Sequence, residues 1–132
     1  MKHLIILFSL LCLYACSSSS CDEQEFNLIG TWELFEFCNY SGGIEASCPI
    51  QTPDQDEFFE FRTDSSFTLF IGGQLVNSGT FSVTNSRIDL IDDITGTLDY
   101  RSINPQGPCE LNMNPLCEEG CRWSYQKINF ID

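Results

Sequence analysis

The stretch EFFEFRTDSSFTLFIGGQLVNSGTFSVT, residues 57–84, decides the fold. Phe59 and Phe61 alternate with Glu60 and Arg62, and Phe67, Leu69 and Ile71 occur at every second position. Phe81 and Val83 alternate with Thr80 and Ser82. A period of two is the strand period, because successive side chains of a strand point to opposite faces. Asp64-Ser65 and Gly72-Gly73 interrupt the pattern with residues that tolerate tight turns. The stretch therefore predicts three antiparallel strands: Glu57–Thr63, a second carrying Phe67, and Gln74–Thr84 with a bulge at Ser78-Gly79.

The same reading extends in both directions. Gly30–Cys38 places Trp32 and Leu34 on one face, with Phe35 and Phe37 following an irregularity. Beyond residue 84 come a run with Ile88 and Leu90 inward and Gly96–Ile103 with Leu98 and Tyr100 inward. Cys109–Asn114 carries Leu111 and Met113, and Cys121–Phe130 carries Trp123 and Tyr125. No stretch keeps apolar residues at helical spacing for three turns. Eight short runs with mostly hairpin-length connections predict an all-β, eight-stranded antiparallel up-and-down barrel. The one long connection, Asn39–Asp56, holds Gly42-Gly43, Pro49 and Pro53; long loops in compact domains are frequently binding loops or lids.

The amino terminus reads as an export signal. Met1-Lys2-His3 is a short positive start, Leu4–Leu13 an apolar run, and Ala15 the small residue before a cut. The run is shorter than the ~20 residues that a permanent membrane helix needs. Residues 1–15 are thus expected to be a signal, residues 16–27 a flexible Ser-rich tether, and residues 28–132 one domain.

Composition narrows the function classes. The chain carries 19 acidic against 6 basic residues, a formal charge of −13 that becomes −14 once Lys2 leaves with the signal. Such a surface repels phosphate backbones, so no nucleic-acid partner is expected. Its single histidine, His3, lies in the signal. The mature chain therefore has no histidine for acid–base work, a catalytic triad or a metal ligand. Asp54, Asp56, Glu57, Asp92 and Asp93 could supply a carboxylate pair only by proximity, and as loop acids they read as solvated. A calcium site at residues 54–57 lacks the spaced ligands of a calcium loop. The expectation is no enzyme, no cofactor and no metal.

Of the eight cysteines, Cys12 lies in the signal and Cys16 at its end. Cys21, Cys38, Cys48, Cys109, Cys117 and Cys121 remain, an even set that in a small exported domain predicts three disulfides. Zinc on Cys117 and Cys121 is the rival, without paired Cys-x-x-Cys elements to support it.

Two resemblances sharpen this reading. Leu13-Tyr14-Ala15-Cys16 resembles the lipobox of bacterial lipoproteins, although Tyr14 stands where a small residue is usual. The resemblance implies cleavage before Cys16, lipid on its thiol, palmitate-type acylation, and anchoring to the outer membrane on its periplasmic or surface face. The acidic residues after Cys21 resemble the surface-export tags of Bacteroidota lipoproteins. Farther on, Gly30-Thr31-Trp32 resembles the first strand of lipocalins, and four motifs resemble the lipocalin-like domains of bacterial lipoproteins: Leu28–Trp32, Phe61–Phe67, Ser78–Phe81 and Ile88–Leu90. The late Thr-Asp-Tyr-type turn of true lipocalins is absent. The family implies a cation near the end of the last strand packed over the first-strand Trp32, with Lys127 the candidate and Arg122 the second choice, closing the barrel.

That topology would place Cys21 near Cys109 at one end and Cys38, Cys48, Cys117 and Cys121 at the other. Cys38–Cys121 with Cys48–Cys117 is the pairing expected there. A ligand-binding interior would be lined by Leu34, Phe59, Phe61, Phe67, Leu69, Ile71, Phe81, Val83, Leu98, Tyr100, Met113, Trp123 and Tyr125. An eight-stranded barrel of this kind either holds one small apolar ligand or is filled by its own side chains. Two functions stay open: a lipid-anchored binder of a small hydrophobic molecule, and an envelope module docking a basic protein partner.

Overall fold

The computed structural model describes residues 21, 25–39, 49–116 and 121–129. The expected signal, Cys16, Cys48 and Cys117 lie outside the described residues. Eight strands follow one another: β1 (Gly30–Asn39), β2 (Glu57–Phe61), β3 (Ser66–Ile71), β4 (Gln74–Thr84), β5 (Arg87–Asp92), β6 (Leu98–Gly107), β7 (Glu110–Asn114) and β8 (Cys121–Asn129). Each pairs antiparallel with the next, and β8 pairs with β1, so the sheet is a closed barrel in simple sequence order. Closure removes the bare strand edges that an open sheet would present.

The turns follow local chemistry. Asp64 Oδ1 accepts the backbone N–H and the hydroxyl of Ser66, and Ser65 takes the left-handed conformation at φ 65°. These hydrogen bonds hold the exposed Asp64 carboxyl below its usual range. Asn85 is likewise left-handed, and Gly72 and Gly73 supply the positive φ that the β3–β4 turn needs.

The seam between β1 and β8 is built around Trp32, which lies opposite both Phe59 on β2 and Lys127 on β8. Its indole is fully buried, and Nε1 donates to the Leu28 carbonyl at 2.7 Å. The Lys127 ammonium sits 5.5 Å from the indole centroid and donates to the Asn27 carbonyl at 2.8 Å. Burial pushes this ammonium below the usual lysine range. Arg122, the second choice for this role, lies farther along β8 opposite Cys38 and pairs with Glu36 at 3.7 Å. Cys21 and Cys109, 88 residues apart in sequence, are joined by a disulfide at the end where β1 begins.

Three expectations are corrected by the register. First, Leu98 and Tyr100 face outward. Arg101 lies opposite Ile88 and Ile103 opposite Met113, and Ile88, Ile103 and Met113 are buried. The period of two then fixes residues 99, 101 and 103 as the inner set. Tyr100 packs outside beneath the Arg87 guanidinium, 4.5 Å from its centroid. Second, the bulge in β4 lies at Val76, where the register shifts between Leu69↔Asn77 and Phe70↔Leu75. Gly79 is in regular pairing there, and it is glycine for space: a Cβ would come within 1.8 Å of the Ile91 carbonyl oxygen and 3.0 Å of the Phe67 ring. Third, Cys38 and Cys121 are each disulfide-bonded, but not to one another. Cys38 lies opposite Arg122 and Cys121 opposite Asn39, so the two thiols occupy opposite faces of the sheet.

Gly79→Ala is expected to lower the unfolding free energy by more than about 2 kcal/mol, because backbone rather than a flexible side chain blocks the new methyl; urea unfolding measures it. Lys127→Met removes the cation over Trp32 and should cost about 1 kcal/mol in the same assay.

Candidate functional site

The barrel interior has two layers. Near the end where β1 begins, Leu28, Trp32, Phe61, Phe67, Ile88, Ile103, Leu111 and Met113 form a dry core. Phe59 stacks on Phe61 at 5.6 Å, and Phe61 meets Phe81 edge-on at 5.0 Å. Of the residues expected to line a ligand cavity, Leu34, Phe59, Phe61, Phe67, Met113 and Tyr125 are buried in this packing. Leu69, Phe81 and Trp123 are partly buried against it, Ile71 is also partly buried, and Val83 is exposed near the end of β4. The lower barrel is therefore filled by its own side chains, which moves any candidate site toward the other end, the mouth.

At the mouth side, three strands bring polar groups together. Tyr125 on β8 donates its hydroxyl proton to Glu57 Oε1 on β2 at 2.7 Å. Arg101 on β6 donates from Nη1 to the same Tyr125 oxygen at 3.3 Å and from Nε to Asp99 at 3.3 Å. Its guanidinium lies 4.9 Å from the Phe59 centroid and 5.8 Å from that of Trp123, and its side chain is only 11% exposed. Trp123 packs against Phe37 at 5.8 Å. Arginine has five N–H donors, and two have partners among the described residues.

Arg101 was not readable from sequence, whereas the inward face of Glu57 was, from its spacing to Phe59 and Phe61. Glu57 begins β2 next to Asp54 and Asp56, both exposed, and looks like another loop acid. Its inward face follows from the alternation Glu57, Phe59, Phe61 within β2, and it lies opposite Ile71 in the β2–β3 ladder. Arg101 carries no motif; the signal that existed was Ile103, two residues on, which sets the phase of β6. Asp92 is used structurally: its Oδ1 accepts the backbone N–H groups of Ile94 and Thr95 and the Thr95 hydroxyl, holding its carboxyl below the usual range. No group of His, Cys, Asp and Glu among the described residues is arranged to hold a metal. A separate groove of about 460 Å³ lies on the outer wall between Phe35, the Cys21–Cys109 bridge and Lys127.

No known protein family matches the chain, and no curated protein is recognisably similar to it.

Burial, and then the neighbouring Glu57 charge, push the Tyr125 phenol well above its ordinary value near 10, with Arg101 opposing them. A raised folded pKa means the contribution is intact below about pH 10 and is lost as pH climbs toward the folded value. Thermal melts followed by circular dichroism from about pH 8 to 12 should show this loss, and Tyr125→Phe should flatten it. At neutral pH Tyr125→Phe should cost about 1–2 kcal/mol, since Glu57 loses a hydrogen bond in a buried place.

Proposed function

We propose that this protein is a lipid-anchored envelope lipoprotein, resembling lipocalin-like domains, whose barrel mouth binds a small amphipathic molecule. The observation that carries the reading is the inward-facing Arg101, held over Phe59 and beside Trp123 at the boundary between the dry core and the mouth. A guanidinium on the inner face of a small barrel costs desolvation that a hydrophobic residue would avoid. A few placed polar groups among aromatic side chains are the usual recognition points of ligand sites. An acceptor-bearing head would take the remaining donors of Arg101, and an apolar tail would lie along Trp123, Phe37 and Leu69.

The anchor rests on the Leu13–Cys16 motif. It is tested by the mass of the protein extracted from membranes and by its release into the soluble fraction in Cys16→Ser. For the ligand, dansyl-undecanoic acid is the probe, read by energy transfer from the two tryptophans, Trp32 and Trp123. Saturable binding at low micromolar concentration is expected, little altered by salt and weakened about tenfold in Arg101→Met, the worth of one charge-assisted hydrogen bond. No saturable binding, or equal binding by Arg101→Met, would overturn the mouth site while leaving the anchor standing.

A further inference from the structure

The outer wall departs from a polar surface on the β4–β6 side near the mouth. Ile91 on β5 and Leu98 on β6 lie directly opposite one another and are 45% and 49% exposed. Ile94, in the turn that joins them, is 90% exposed. That turn is tied to β4 by the Asp93 N–H to the Ser78 carbonyl at 3.0 Å. Leu75 and Val76, at the β4 bulge, are also more than half exposed, with Ser78 and Thr80 between them and Ile91. Exposed apolar side chains grouped as Ile91, Ile94 and Leu98 are, mark an interaction site.

The turn at its tip is acidic: Asp92 and Asp93 precede Ile94. The other two acids of the β5–β6 hairpin are matched by its two cations, Arg87 with Asp89 outside and Arg101 with Asp99 on the inner face. Asp92 stays ionised because the turn amides hold it so. The chain enters the barrel at the opposite end, through Cys21 and its bridge to Cys109. A tether there would hold this face away from the anchoring membrane.

We infer that this apolar and acidic face docks a basic protein, one with more Lys and Arg than Asp and Glu, by burying Ile91, Ile94 and Leu98 with Asp92 and Asp93 meeting its cations. A second copy of the chain would bring two strongly acidic surfaces together, and an anionic lipid surface would be repelled in the same way. This inference is independent of the ligand in the barrel mouth.

The test places photoreactive p-benzoylphenylalanine at Leu98 in the full chain expressed in its native cells, with Gln126 on β8 as the control position. Crosslinking at residue 98 and not at 126 to a protein of net positive charge is expected. The yield should fall at least about threefold in raised salt and in Asp93→Asn. Thermal melts of each variant establish that the barrel is intact. Capture of the chain itself, of lipid, or of an acidic or neutral protein would overturn the inference, as would equal capture at both positions or none at residue 98 in a folded variant.

Discussion

The barrel depends on the pairing of its first and last strands, and that seam depends on one indole. Trp32 is the inward-facing residue of β1 that pairs with β2 on one side and β8 on the other, so its burial joins both ladders. Its N–H has a carbonyl partner, and its faces are covered by Phe26 and Lys127. Beyond Leu34 the five-residue β2 has run out, and Gln51 takes its place by exchanging two backbone hydrogen bonds with Phe37. The register shift between Leu34 and Glu36 lets the long first strand bend around the ring.

Closure also decides what the inside can be. In an eight-stranded barrel the inner residues of one wall reach those of the opposite wall, so side chains fill the space unless something keeps them apart. Here aromatic rings fill the lower part, and the upper part carries an acid, a phenol and a guanidinium from three separate strands. Each satisfies another, which makes their burial tolerable. The arrangement is costly compared with an apolar core of the same shape. Its position at the boundary of dry core and mouth is the basis for reading it as recognition.

Inner and outer walls differ in chemistry. The inner wall carries directed donors beside aromatic rings, on which the proposed small-molecule site rests. The outer β5–β6 hairpin carries branched apolar side chains beside acids, on which the proposed docking face rests. Both arise from one structural decision, the phase of β6, which turns Arg101 inward and Leu98 and Tyr100 outward.

Strand existence and order were legible in the chain because alternation and turn chemistry are local properties. Phe59, Phe61, Phe67 and Leu69 announce their face within a few residues, and Asp64-Ser65 and Gly72-Gly73 announce their turns. The Cys21–Cys109 bridge followed from the closed up-and-down order, and the Trp32–Lys127 contact from the resemblance. The phase of β6 was not legible. Leu98 and Tyr100 favour one face and Ile103 the other, and the choice fell to Ile88 and Met113 on neighbouring strands. The separation of Cys38 from Cys121 has the same origin. Alternation along one strand says that two faces exist; which face turns inward is decided by pairing with strands distant in sequence, and only the folded ring supplies those partners.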